Sequence, residues 1–272
     1  SGAGCCNNFI GYYAGCSNTT GSQNNFIGRN AGAGNTTGTN NNFIGNNAGQ
    51  NATVTGNDNI FFGSSAGRAA SGSGGCNIFL GRQAGCCNTT GNYNNFIGCA
   101  AGKEHISSGS CNNFIGIGAG LCADITGHDN NFFGSFAGRC ASGAGSCNNF
   151  IGRYAGCSNV SGCHNNFFGT SAGLVRTTGD CNNIIGYQAG CNSTGGDSNN
   201  FIGRRAGREN TTGSYNNFFG HSAGLANTTG SYNNFIGNQT GKCSTTGSCN
   251  NFFGSYAGCF NTTGTNNNFF GT

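Results

Sequence analysis

Residues 24–38 read NNFIGRNAGAGNTTG, and close variants of this stretch follow one another along the whole chain of 272 residues. Aligned copies place their first aromatic residue at positions 9, 26, 43, 61, 79, 96, 114, 132, 150, 167, 184, 201, 218, 235, 252 and 269, with Ile184 as the one aliphatic replacement. Every spacing is 17 or 18 residues, and no linker or change of composition divides the copies. The sequence therefore predicts one continuous repeat array over residues 1–272, expected to be a window of a longer array.

Positions within a copy are counted from this aromatic residue, so that Asn24 lies at −2 and Ala31 at +5. Asn at −2 and Gly at +2 occur in all sixteen copies. A repeat of 17 residues that lacks proline and carries several glycines is too short and too interrupted for a helical hairpin. It predicts an all-β fold, a parallel β-solenoid (β-helix or β-roll) of sixteen coils, with one 17- or 18-residue coil of two or three short strands per repeat.

The residues at 0 and +1 are both large and apolar, as in Phe26-Ile27. In an extended strand, neighbouring side chains point to opposite faces. One column is then expected to fill the coil interior together with the alanine at +5, while the other forms an apolar stripe that must be covered by another subunit. The alternative is a bend at Phe-Ile-Gly that turns both columns inward. The extended strand predicts self-association, as a trimer or a filament, through this Phe/Ile stripe.

Six of the 18 cysteines lie at −3, and five of these six are accompanied by a cysteine at +7. Such co-occurrence favours disulfides across a coil and an oxidising, extracellular location or a cell or virion surface. The alternative is that cysteine serves as a small buried apolar residue. The predicted pairs are Cys6–Cys16, Cys76–Cys86, Cys147–Cys157, Cys181–Cys191 and Cys249–Cys259, with Cys111–Cys122 as the same pair in a longer coil.

Charged residues make up 7% of the chain, the formal net charge is +4, and no residue set suggests catalysis. The four histidines recur in no common column, whereas an enzyme needs unique residues that converge in one pocket. Asn, Thr and Ser occupy the turns where a calcium-binding β-roll would need Asp, and spaced cysteines without histidine partners do not predict zinc. We therefore expect no enzyme, no cofactor, no nucleic-acid partner and no membrane insertion.

The N-T-T-G turn contains Asn-x-Thr/Ser triplets that are acceptors for N-linked glycans, although the same residues are those that tight turns require. The candidate glycosylation sites are Asn18, Asn35, Asn88, Asn210, Asn227 and Asn261. The paired threonines of this turn also raise ice binding as a lesser alternative.

The motif from Phe26-Ile27-Gly28 to Ala31-Gly32 resembles the Gly/Asn-rich repeats of trimeric autotransporter adhesin heads. It is also similar to repeats of bacteriophage tail-fibre-like and bacterial surface fibre proteins. The chain departs from both in having Phe before Ile and abundant cysteine. The resemblance implies an extracellular β-solenoid that is trimeric or laterally associated. The predicted function is a structural subunit of an extracellular fibre, filament or sheath, with an adhesin head or tail-fibre shaft that binds a receptor as the alternative.

Overall fold

The computed structural model describes residues 4–51, 53–70, 72–87, 90–104, 108–143, 145–175 and 178–271. These residues form short parallel strands joined by turns, and they contain no helix. The fold is a parallel β-solenoid in which each repeat forms one coil, as the repeat spacing predicts. The chain divides into two compact units, Ser1–Ala144 and Gly145–Thr272, and each unit contains eight repeats.

The first unit has one principal parallel sheet of eight strands in the order β1-β2-β3-β4-β5-β6-β7-β9. Two further strands, β8 and β10, pair in parallel beside it. The strands are β1 (Asn8–Ile10), β2 (Asn25–Ile27), β3 (Asn42–Ile44), β4 (Ile60–Phe62), β5 (Ile78–Leu80), β6 (Asn95–Ile97), β7 (Asn113–Ile115), β8 (Asp124–Ile125), β9 (Asn131–Phe133) and β10 (Ser142–Gly143).

The second unit has a parallel sheet of eight strands in sequence order. These strands are β11 (Asn149–Ile151), β12 (Asn166–Phe168), β13 (Asn183–Ile185), β14 (Asn200–Ile202), β15 (Asn217–Phe219), β16 (Asn234–Ile236), β17 (Asn251–Phe253) and β18 (Asn268–Phe270). Within each unit every strand of the main sheet pairs in register with the next, so that equal repeat positions lie above one another.

Most coils contain one strand of three residues rather than the two or three strands expected. The remaining sides of the coil still bond to the next coil, as when the Gly32 amide donates to the Ala48 carbonyl at 2.8 Å. Left-handed residues interrupt these sides after a few bonds, with φ of 56° at Asn30 and 61° at Gly32. The coil therefore turns too often for a second regular strand to form.

The aromatic column fills the coil interior. From Phe26 to Phe132 in the first unit, each of these phenylalanines is at most 2% exposed. The stacked rings lie 4.4–5.0 Å apart between centroids, close to the spacing of neighbouring strands. The alanine at +5 lines the same interior, as the sequence predicts. Thr240 replaces it in one coil, and its hydroxyl donates to the Gly254 carbonyl at 2.6 Å, which satisfies the buried polar group.

A ladder of asparagines at −2 runs beside the phenylalanines and is buried in both units. The Asn41 amide nitrogen of the side chain donates to the Gly56 carbonyl at 2.9 Å, across its own coil. Its side-chain oxygen accepts from the backbone amide of Asn59 in the next coil, also at 2.9 Å. Each such side chain closes its own coil and holds the next one, which explains why this position is always asparagine.

Glycine is required at two of the turn positions. Gly28 has φ of 130°, and a Cβ there would lie 2.6 Å from the Gly45 carbonyl oxygen of the next coil. Gly32 lies directly against the Phe26 ring, so that a Cβ would overlap the aromatic atoms. The stacking of coils and the packing of the ring therefore both depend on the absence of a side chain at these positions.

Candidate interaction surface

The residue at +1 forms an apolar column on the outer side of each main sheet. In the first unit, Phe62 is 49% exposed and Leu80 is 42% exposed, while the preceding residues Phe61 and Phe79 are buried. In the second unit, Ile151 and Ile185 are each 40% exposed. The columns at 0 and +1 therefore face opposite sides of the strand. The bend that would turn both inward is wrong, because the strand is extended through +1 and turns only at the following glycine.

We call the +1 column the outer stripe. Its members are Ile10, Ile27, Ile44, Phe62, Leu80, Ile97, Ile115 and Phe133 in the first unit, and Ile151, Phe168, Ile185, Ile202, Phe219, Ile236, Phe253 and Phe270 in the second. All of them are partly or fully exposed. At roughly 70 Å² of exposed side chain per coil, eight coils expose on the order of 500 Å², at the upper range of patches on soluble monomers.

The asparagine at −1 borders the outer stripe and forms its own hydrogen-bonded ladder. The Asn95 side-chain nitrogen donates to the side-chain oxygen of Asn113 at 2.7 Å. In the second unit the ladder runs from Asn149 to Asn268 with donor–acceptor distances of 2.7–2.9 Å. Since the −1 and +1 columns contain no charged residue, the outer face of each sheet is neutral throughout.

Two neighbouring coils of the first unit widen the apolar surface. Ile60 and Ile78 replace asparagine at −1 and are 42% and 37% exposed. They lie beside Phe62 and Leu80 on paired strands, so that four large apolar side chains form one patch. Loss of two asparagines interrupts the outer ladder here, which shows that the coils stack without it.

No disulfide joins any of the eighteen cysteines. The −3 cysteines have left-handed backbones, with φ of 58° at Cys76, and they precede the strand on the outside of the coil. The +7 cysteines follow the glycine against which the Phe ring packs, as Cys86 follows Gly85. The predicted pairs Cys6–Cys16, Cys76–Cys86, Cys147–Cys157, Cys181–Cys191 and Cys249–Cys259 are not joined in this structure. These pairings stay predictions.

The predicted glycosylation sites lie at +9, a column that points into the coil. Asn35, Asn210 and Asn227 are fully buried, and Asn18 and Asn261 are half-buried. The side-chain nitrogen of Asn210, to which a glycan would be attached, donates a hydrogen bond to the Gly213 carbonyl at 2.8 Å. This bond holds the side chain inside the turn. The +9 column is an interior one, in which Ala123 is also buried. Asn88 lies outside the described residues.

The paired threonines at +10 and +11 differ in their surroundings. The Thr211 hydroxyl donates to the Thr228 carbonyl of the next coil at 2.9 Å, and Thr228 repeats this bond with Thr245 at 3.0 Å. The +11 threonines, such as Thr212, are exposed, whereas Thr211 and Thr228 at +10 are half-buried. A single row of free hydroxyls on a turn does not favour ice binding.

The −4 column forms a hydrogen-bonded ladder that the sequence reasoning missed. The Cys163 backbone amide donates to the Asp180 carboxylate at 2.7 Å, and the Asp180 amide donates to Asp197 at 2.8 Å. Ser214 and Ser231 continue the series with hydroxyl acceptors, each at 3.0 Å. The only signal in the sequence is that this column is usually polar, which a solvated turn would explain equally well.

Several cysteines of the +7 and +8 columns have perturbed thiols. Burial, the adjacent Cys86 and other neighbours raise the pKa of Cys87 to about 11. Burial, a hydrogen bond with the Glu104 carboxylate and charge at Glu104 and Cys140 raise the pKa of Cys122. Burial also raises the pKa of Cys191. These thiols are therefore held in the neutral form, which is the less nucleophilic one.

Two unusual loops of the first unit lie next to each other. The Glu104 amide donates to the Leu121 carbonyl at 2.9 Å, and Lys103 lies 4.0 Å from the Glu104 carboxylate. His105 and Ile106, which belong to the same loop, lie outside the described residues. Within the described parts of the chain there is no pocket, no cluster of three potential metal ligands and no helix able to cross a membrane.

Comparison with protein-family models, curated proteins and solved structures finds no match to this chain.

Proposed function

We propose that the protein is a structural subunit of an extracellular fibre, filament or sheath, and that copies associate through the outer stripe. The observation that carries the proposal is the apolar, uncharged outer face that repeats in every coil of both units. Water-exposed side chains of this size each forfeit on the order of 1 kcal/mol relative to burial. Covering the stripe offsets that cost in proportion to the number of coils.

A second copy of the chain is the partner that best fits this face. An outer stripe with one side chain about every 4.8 Å matches the same stripe on another copy along its whole length. The neutral asparagine ladder beside it causes no charge repulsion between identical faces. The outer stripe of one unit offers roughly 500 Å² on each copy, which approaches the area of about 800 Å² per partner that stable complexes bury.

The resemblance to autotransporter heads and tail-fibre repeats supports the same proposal, because both are extracellular β-solenoids. The motif that carries it, with Phe26, Ile27 and Ala31, forms the strand and the interior of the coil. A receptor-binding role is the alternative that the resemblance also implies, and the adjoining loops at Glu104 and Leu121 are the place to test it.

Paired charge substitutions in the same coils test the proposal. Ile27→Lys with Ile202→Lys places two charges in the outer stripe, whereas Thr37→Lys with Thr212→Lys places them on exposed turns of those coils. Sedimentation velocity should show the stripe variant as a monomer at concentrations where the wild type and the turn variant remain associated. Circular dichroism should show that all three retain β structure. A wild type that is monomeric at high concentration, or equal dissociation of both variants, would refute the proposal.

A further inference from the structure

Cysteine occurs at +8 in two successive coils of the first unit, as Cys122 and Cys140. Just beyond them, β8 and β10 pair with Ser142 opposite Asp124, an offset that places Cys140 opposite Cys122. The Cys122 backbone amide donates to the Arg139 carbonyl at 2.7 Å, the bond expected between in-register neighbours of a parallel ladder. The two cysteines are therefore direct neighbours in adjacent coils.

Both side chains are on the outer side of the coil. The following residues, Ala123 and Ala141, are at most 3% exposed and point inward, so the preceding cysteines point outward. Cys140 is exposed and Cys122 is half-buried. In-register positions of parallel strands lie about 4.8 Å apart, within the range of roughly 4.4–6.8 Å that disulfides span between Cα atoms.

We propose that Cys122 and Cys140 are a redox pair whose disulfide joins two adjacent coils, formed with a small disulfide such as oxidised glutathione as the oxidant. This assigns Cys122 a partner different from Cys111, which lies at the −3 corner with φ of 60°. The inference does not depend on the proposed fibre function, since it concerns contacts within one chain.

The exchange proceeds in two steps that balance. The exposed Cys140 thiolate attacks one sulfur of oxidised glutathione, which gives a mixed disulfide and releases one glutathione thiolate. Cys122 loses its proton to solvent and attacks the Cys140 sulfur, which releases the second glutathione. The protein loses two hydrogen atoms, and the oxidant is reduced to two thiols. The order follows from exposure, because Cys140 is exposed, whereas Cys122 is half-buried and its pKa is raised by burial and by the Glu104 carboxylate.

Peptide mapping of the oxidised full-length chain tests the pairing. Oxidised glutathione is added to the folded protein, remaining thiols are blocked with N-ethylmaleimide, and the chain is digested with trypsin and chymotrypsin. Cleavage after Arg139 separates Cys140 from Cys122, and cleavage after Phe114 separates Cys111 from Cys122. We expect one linked peptide pair, with fragmentation spectra that place the bond between Cys122 and Cys140.

Two serine variants and a denatured sample complete the test. Cys111→Ser should retain the link, whereas Cys122→Ser should lose it and carry glutathione on Cys140. The link should form much more slowly in urea, because the coils no longer align the two thiols. A Cys111–Cys122 bond, glutathione on both Cys122 and Cys140 without a link, or equal rates in urea would overturn the proposal. Circular dichroism of each variant distinguishes these outcomes from misfolding.

Discussion

Three buried polar atoms of the second unit lack hydrogen-bond partners among the described residues, and all three belong to the +9 column, at Asn159, Asn227 and Ser244. The last two lie in neighbouring coils. Asn227 donates to the Asn210 side chain at 2.6 Å, but its own side-chain oxygen has no donor. The donor would come from position 244, where serine replaces asparagine. The Ser244 hydroxyl is also without a partner. A single substitution thus leaves two buried groups unsatisfied, which is costly in a low-dielectric interior.

Restoring asparagine at this position should stabilise the protein. In Ser244→Asn, the new amide can donate to the Asn227 side chain and accept from Asn261, as its counterparts do along the column. We expect an increase of about 1–2 kcal/mol in the free energy of unfolding. Urea denaturation measures it, with Ser244→Ala, which only removes the unpaired hydroxyl, as the control. A destabilised Ser244→Asn would show that the column cannot accept the larger side chain there.

The reactivity of Cys87 should follow its environment. Because burial and Cys86 raise the pKa of Cys87 to about 11, its thiolate is scarce at neutral pH. Alkylation by iodoacetamide, followed by mass spectrometry of the peptide, should reach half of its maximal rate near that pH in the folded chain. In urea the midpoint should fall to about 8.5, the ordinary value for cysteine. A folded-state midpoint near the ordinary value would contradict the environment described for this thiol.

Sequence reasoning was least able to locate the corners of the coil. Positions −3 and +4 are left-handed in nearly every coil, with φ of 57° at both Tyr93 and Ala100. Glycine or asparagine at these positions would indicate a left-handed conformation, but the positions also hold tyrosine, cysteine and arginine. Backbone hydrogen bonds to the neighbouring coils hold these residues in the left-handed conformation. The residue type at these positions therefore says little about the conformation.

The strand is the element for which sequence and structure agree most closely. Identical residues at −2 and +2 in every copy, with phenylalanine at 0 in all but one, predicted in-register stacking, and the sheets pair that way. The alternation of strand side chains identified the two columns as opposite faces but did not say which was buried. The structure places phenylalanine inside because its ring spans the coil to the glycine at +6, as between Phe96 and Gly102. That distance across the coil is not encoded in the strand itself.

The two asparagine ladders should differ in their contribution to stability. Asn94 is fully buried, donates to the Gly109 carbonyl at 3.0 Å and accepts from the Asn112 amide at 3.0 Å. Its neighbour Asn95 is half-buried and makes the outer bond to Asn113. We expect Asn94→Ala to lower the free energy of unfolding by about 2–4 kcal/mol and Asn95→Ala by less than about 1 kcal/mol. Only the loss of the Asn94 side chain leaves buried backbone groups without hydrogen-bond partners. Thermal denaturation of the two variants compares them, and equal losses would contradict the division of roles.

In each unit as a whole, stability is expected to be a sum over coils and the contacts between neighbouring coils. Each coil contacts only the coils beside it, and no pocket or metal cluster in the described residues fixes a particular coil as central. The stability of each unit is therefore expected to depend more on the 17-residue period than on the sequence of any one copy. The sequence showed this period directly. It could not show which outer surface is available to a partner, because that depends on which column the coil encloses.

Removal of one whole coil tests this additivity in the second unit. Deletion of residues 218–234 joins Asn217 to Phe235 and leaves every remaining column in register. The shortened chain should keep its circular dichroism per residue and lose on the order of 1–3 kcal/mol, the contribution of about 17 residues.

Deletion of residues 218–225 removes fewer residues but leaves a coil too short to close, without its phenylalanine or its glycine turns. It should therefore destabilise the unit more than the longer deletion does, as measured by thermal denaturation and resistance to proteolysis. If the shorter deletion were the milder one, the second unit would not be held together coil by coil, and its stability would have to come from contacts that do not repeat.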